Sequence, residues 1–236
     1  MKKILLLAAA VMGSYCGFAQ SSGDIDFAAN SKLKNHALFV GPKVGGSMTT
    51  ISGQPTECDL FDGGSFGITG GLALKARFGR VTENSFEGTG MFGVGLELKY
   101  RQAKAKTIAA DDLSLGYFEI PVLFQVYPMA SSKSMNGFYI EAGPDFAMLM
   151  SKSPDALNVN LNQPYPGLES VRYNTSDLKG GDLRVAVGLG YTIPNTGLDI
   201  NARYYIGTSE LSKEVLPSKM NFIEVSLSWL FKAVVF

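Results

Sequence analysis

From Ala37 onward, one pattern dominates the chain: residues alternate, one by one, between an apolar, aromatic-rich row and a row of charges, small polar residues and glycines. A period of two is the signature of a β-strand with two unlike faces. The last segment shows it best, with Ile223, Val225, Leu227, Trp229 and Phe231 on one face and Glu224, Ser226 and Ser228 on the other. Before it, Leu198, Ile200, Ala202, Tyr204 and Ile206 oppose Asp199, Asn201 and Arg203, and Leu183, Val185, Val187, Leu189 and Tyr191 oppose Arg184, Ala186, Gly188 and Gly190. Five earlier segments repeat the pattern, around Leu38–Ser47, Phe66–Phe78, Phe92–Arg101, Phe118–Val126 and Phe138–Met148. The first is the least regular, and Pro42 predicts an interruption or bulge there.

Eight segments of roughly 10 to 14 residues match what a tilted strand needs to cross a bilayer, about 9–11 residues, and the even number suits a bacterial barrel. A soluble antiparallel sandwich also alternates. The sequence separates the two: the apolar row carries no charge in any segment, whereas the opposite row holds Lys, Arg, Glu, Asp and many of the glycines. That distribution fits lipid outside and a tight polar interior. The expected fold is all-β, a single antiparallel up-and-down transmembrane β-barrel of about eight strands, over residues 37–236.

Connection lengths give the orientation. Pro194–Gly197, Met129–Asn136 and Gly79–Thr89 are the shorter turns; Thr49–Asp62, Gln102–Ser114, Ser151–Gly181 and Thr208–Lys219 are the longer loops. Short turns belong on the periplasmic side and long loops outside. The longest loop, 151–181, is stiffened by Pro154, Pro164 and Pro166, and Val159–Leu161 predicts a strand continuing beyond the membrane; a protein partner is expected to dock there. Residues 1–19 read as an export signal: Lys2 and Lys3, a short apolar core from Ile4 to Met12, and small residues Gly17 and Ala19 that place cleavage between Ala19 and Gln20. Residues 20–36 are then a polar periplasmic lead-in, and the destination is the outer membrane.

Composition excludes several functions. The 21 basic and 21 acidic residues leave no basic excess for nucleic acid. Cys16 lies in the leader, where bulky Tyr15 disfavours acylation, and Cys58 is left without a disulfide partner. His36 is the only histidine and precedes the first strand, so neither a histidine-based catalytic centre nor a transition-metal site is expected, and no cofactor. Paired glycines such as Gly188 and Gly190 sit within strands, without the Lys-Ser/Thr of a phosphate loop.

The inward row supplies the candidate site. Lys43, Lys75, Arg77, Lys99, Arg101, Arg184 and Arg203 face Glu97, Glu119, Glu141, Asp145, Asp199 and Glu224. In a narrow lumen such groups pair, because an unpaired buried charge costs several kcal/mol. The expected result is a closed, charge-paired plug, in a monomeric barrel surrounded by lipid, with a structural, accessory or partner-docking role. The alternative is a narrow channel or a small-solute-binding barrel guided by the same cations. Tyr100, Tyr127, Tyr204 and Trp229 are candidates for interfacial girdles.

Gly116-Tyr117-Phe118-Glu119-Ile120-Pro121, Phe138-Tyr139-Ile140-Glu141-Ala142-Gly143-Pro144, Gly188-Leu189-Gly190-Tyr191 and Arg203-Tyr204-Tyr205 together resemble the PorT-like family of outer-membrane β-barrel proteins. The resemblance runs from about Ala37 to Phe236 and implies a barrel fold and outer-membrane location. One branch of that family is associated with protein secretion. The terminal Phe236 looks like the aromatic read by barrel-assembly machinery, although Lys232–Val235 extends beyond Phe231 and leaves the end of the last strand open.

Overall fold

The computed structural model describes residues 33–52, 61–82, 90–107, 112–130, 132, 135–159, 171–175, 178–193, 196–211 and 218–235. Cys16, the Ala19–Gln20 cleavage position, Cys58, the centre of the longest loop at 160–170 and Phe236 lie outside these residues.

Eight strands close into an antiparallel barrel: β1 (Leu33–Ser52), β3 (Phe66–Thr82), β4 (Phe92–Thr107), β5 (Leu113–Val126), β6 (Phe138–Ser153), β9 (Gly181–Thr192), β10 (Leu198–Gly207) and a last strand in two pieces, β11 (Lys219–Trp229) and β12 (Phe231–Val235). Each pairs with its neighbour in sequence, and β1 pairs with both β11 and β12, so no edge is left open. Short β2 (Phe61–Gly64) pairs with the far end of β4. Within the longest loop, β7 (Ala156–Val159) and β8 (Val171–Asn174) form a separate hairpin, slightly before the predicted extension at Val159–Leu161.

The alternation decides which way each strand faces. Phe92, Val94, Leu96, Leu98 and Tyr100 form the outer row of β4, nine positions from first to last, and beyond them Gln102, Lys104 and Lys106 continue the same face out of the hydrocarbon. Val44, Phe66, Ile68, Phe124 and Val225 are each more than half exposed and belong to the same belt. In a bilayer this exposed apolar surface meets acyl chains, and ladder closure satisfies the backbone groups that lipid cannot.

Two local expectations are corrected, and the interruption expected at Pro42 is found on one side of its strand. First, β1 begins at Leu33, so the last four residues of the expected lead-in are part of the barrel; His36 lies within the strand, paired with Phe78 and edge-to-face against its ring at 5.7 Å. Second, Pro42 leaves the β1–β3 register intact, opposite Leu72. The interruption appears in the other neighbour: pairing passes from Val40–Phe231 to Lys43–Ser228, the last strand breaks at Leu230, and the Leu230 N–H goes to Gly197 O at 2.7 Å. A proline has no N–H for that ladder, so the partner strand absorbs the defect. Close packing at this seam also demands Gly41, where a Cβ would sit 1.8 Å from Trp229 O. Third, Tyr127 is not a girdle residue. It points into the lumen, and its hydroxyl donates to Gln125 Oε1 at 3.0 Å, whereas Tyr100, Tyr204 and Trp229 do face outward.

Candidate functional site: the charged lumen

All thirteen charged residues of the inward row lie inside the barrel, each at most 4% exposed. The strand register explains the pairing. Lys99 stands opposite Glu119, Arg203 opposite Glu224, and Asp145 opposite Arg184, so opposite charges begin as cross-strand neighbours. Long side chains then reach past those neighbours to partners across the lumen.

A chain of ion pairs results. Lys43 Nζ lies 2.9 Å from Glu97 Oε1 and 3.4 Å from Glu224 Oε1. Glu97 also accepts from Arg203 at 2.8 Å, and Arg203 Nε donates to Glu141. Glu224 Oε2 accepts from Lys99 Nζ at 2.7 Å and Arg101 Nη2 at 2.6 Å. Arg101 Nε reaches Glu119 at 2.7 Å, and Arg184 binds the same Glu119 through Nη1. Neutral groups extend the chain: Gln125 Nε2 donates to Glu141 at 2.9 Å, and Ser226 Oγ to Asn201 Oδ1 at 2.6 Å. Gly188 leaves space for this crowding, since a Cβ there would meet Arg203 Cγ at 2.7 Å.

Towards the periplasmic end, Lys75 pairs with Asp199, and the Tyr139 hydroxyl accepts from Lys75 Nζ at 2.7 Å while donating to Asp199 Oδ1 at 2.9 Å. Arg77 donates to the carbonyls of Gly90 and Asn136 and covers the Tyr127 ring at 3.9 Å. A small recess here is lined by Phe39, Lys75, Arg77, Tyr127, Thr192 and Leu230.

Two features are not anticipated from the sequence. Asp182 belongs to the network, its Oδ2 2.6 Å from Arg184 Nε. It sits one alternation step before Arg184, near the start of the strand, so the same parity could have found it. Added to the thirteen inward charges predicted from the sequence, it makes seven cations and seven carboxylates. The second is an apolar lid over the charges. At the extracellular end Leu113, Leu115, Tyr117, Tyr205, Met220 and Phe222 turn inward and pack together, joined by Leu211 and Leu178 from the loops. Ala37, Phe39, Ala73 and Leu230 pack at the opposite end. Charges therefore fill the lumen below the lid, and the smaller cluster lies level with Lys75 and Arg77, which stand opposite Phe39 and Ala37. Among the described residues no group of His, Cys, Asp and Glu is arranged to hold a metal ion.

Residues 18–212 match the model of the outer membrane protein beta-barrel domain. The chain therefore belongs to that family, and the protein resides in the outer membrane. No curated protein matches the chain. Among solved structures it is similar to Neisserial surface protein A (11% identity, 84% of this chain and 100% of that one, TM-score 0.44). It is also similar to Ail, the attachment invasion locus protein of Yersinia pestis, in complex with the heparin analogue sucrose octasulfate (12% identity, 83% and 99%, TM-score 0.39). A third is the outer membrane protein OprG of Pseudomonas aeruginosa (14% identity, 86% and 98%, TM-score 0.34).

Proposed function

We propose that this member of the outer membrane protein beta-barrel family is a closed structural or accessory barrel that acts through its extracellular loops by docking a protein partner. One observation carries the reading: ion pairs occupy the lumen, and inward-turned apolar side chains close the end that bears the long loops. A conducting path would have to break charge-assisted hydrogen bonds and hydrate an apolar lid. The β7–β8 hairpin rising from the β6–β9 connection is the loop structure on which docking is placed. On this reading residues 1–19 are removed after export and the mature barrel is a monomer. The narrower PorT-like placement rests on the Gly116–Pro121 and Phe138–Pro144 motifs.

Planar-bilayer recording of the purified barrel tests closure. No conductance is expected from the wild type or from Arg203→Ala, and steady unitary steps from the wild type would overturn it. Photo-crosslinkers at exposed Ser151 and Asp155 in intact cells test docking; a single reproducible adduct is expected, and its absence would remove that part. The small-solute alternative gains little from the recess beside Lys75 and Arg77, whose free space is on the order of one water molecule. Titration calorimetry with small carboxylates and phosphates at that recess decides it.

A further inference from the structure

Just above the lipid belt, at the end that bears the long loops, the outer surface of three neighbouring strands turns polar. Tyr100, Phe118 and Met148 stand side by side on β4, β5 and β6 as the last apolar row. The next row up is Gln102, Gly116 and Ser151, and the one after it Lys104, Ser114 and Ser153. Exposed Lys106 follows on β4.

A bulge builds this patch. Along β6, Ile140, Phe146, Met148 and Met150 face lipid, so unbroken alternation would turn Ser151 and Ser153 inward and Lys152 out. The register shifts between Gly116 and Tyr117: Leu149 pairs with Tyr117 and Ser151 with Gly116, which leaves Met150 as the extra residue. Both serines are exposed as a result, and Lys152 turns in to donate to Thr175 O at 2.9 Å. Bulges re-aim side chains in this way. Gly116 completes the surface. With no side chain there, Tyr100 lies across β5 and its hydroxyl comes within 3.4 Å of Ser151 Oγ, where a Cβ on residue 116 would strike both oxygens.

The rows from Gln102 to Lys106 carry charge of one sign. Neither Lys104 nor Lys106 forms an ion pair with a carboxylate among the described residues. Asp112, beside Lys106 in the β4–β5 register, and Asp155 stand at the upper edge. Lys104 lies four residues beyond Tyr100, about 13 Å along the strand and about 9 Å along the membrane normal at a tilt near 45°. The polar layer on each side of the hydrocarbon is about 5–8 Å thick, and a lysine stem spans the remainder.

We propose that this patch on β4, β5 and β6 binds the headgroup of a membrane lipid that carries a phosphate monoester on a sugar. Lys104 and Lys106 take the phosphate, the hydroxyls of Tyr100, Ser151 and Ser153 take the sugar, and the acyl chains run down over Phe118 and Met148. The occupant is a lipid because the patch is continuous with the lipid-facing belt below it and offers cations and hydroxyls at headgroup depth. The proposal does not depend on docking by the β7–β8 hairpin.

Native mass spectrometry of the full barrel, refolded in neutral detergent with lipid A as the probe, tests it. One lipid A is expected to stay bound to the wild type, and phosphatidylcholine is not. Lys104→Gln with Lys106→Gln should bind lipid A about thirtyfold more weakly, since each lysine beside an anionic lipid surface is worth about fivefold. Lys104→Arg with Lys106→Arg should bind it as the wild type does. So should Lys219→Gln, which removes an exposed lysine at the same end on β11. If the double glutamine variant does not fold, Ser151→Ala with Ser153→Ala serves instead and should bind several-fold more weakly. No retained lipid A, equal retention by the glutamine or alanine variants, or an equal loss in Lys219→Gln would overturn the proposal. Displacement of the lipid by inorganic phosphate would overturn it too, as would a wild-type dimer that the double glutamine variant abolishes, which would give the patch to a second copy.

Discussion

Glu97 offers the sharpest test of whether the lumen is dry. Its carboxylate accepts from Lys43 Nζ at 2.9 and 3.0 Å and from Arg203 at 2.8 Å, with side-chain exposure of 3%. Glu97→Gln keeps the shape but removes the charge that two buried cations share. Arg203 retains Glu141 and Lys43 retains Glu224 at 3.4 Å, so the loss is partial for each cation but affects both. Breaking a buried pair on one side costs about 3–5 kcal/mol, because the stranded charge has no water to return to. The second substitution, Lys43→Met, removes one stranded cation and should recover about 1–3 kcal/mol of coupling. Urea unfolding in detergent micelles, followed by heat-modifiable gel mobility, measures both. If Glu97→Gln costs less than about 1 kcal/mol, as solvent-exposed pairs do, water reaches the interior and the lumen is not closed.

Val225, 56% exposed on the outer face of β11, should cost about 2–4 kcal/mol when changed to Arg near the bilayer midplane, while Val225→Leu refolds into vesicles as well as wild type. Leu115, 1% exposed in the extracellular lid, should lose about 2–5 kcal/mol as Leu115→Ala in the same unfolding assay. Gly41→Ala places a methyl group against the Trp229 carbonyl and should lower the yield of the heat-modifiable folded form, since the atoms it meets are backbone and cannot swing aside.

Much of the site is legible in the sequence, because strand parity is strict. Once Ile223, Val225 and Leu227 are assigned to lipid, Glu224 and Ser226 have to point inward, and the same logic places the charged residues from Lys43 to Arg203. Parity says nothing about rows that mix apolar and polar residues. On β5 and the residue after it the inward row reads Leu113, Leu115, Tyr117, Glu119, Pro121, Leu123, Gln125, Tyr127, so an apolar lid and a lumenal tyrosine stand on the same face as a charge. Tyr127, one residue beyond β5, shares the parity of Glu119 and Gln125, so strict alternation already separates it from the outward tyrosines.

The sequence alone therefore determined the class of fold, the number of strands, their facing and the near-cancellation of charge inside, since all four follow from period-two patterning against two solvents. Only the tertiary structure decided who partners whom. Arg184 abandons its cross-strand neighbour Asp145 for Glu119 and Asp182, and the last strand breaks at Leu230, across from Gly41 beside Pro42. Such choices depend on strand stagger and on how far each long side chain reaches across a closed ring. That ring brings residues more than a hundred positions apart to hydrogen-bonding distance, as it does Arg101 and Glu224.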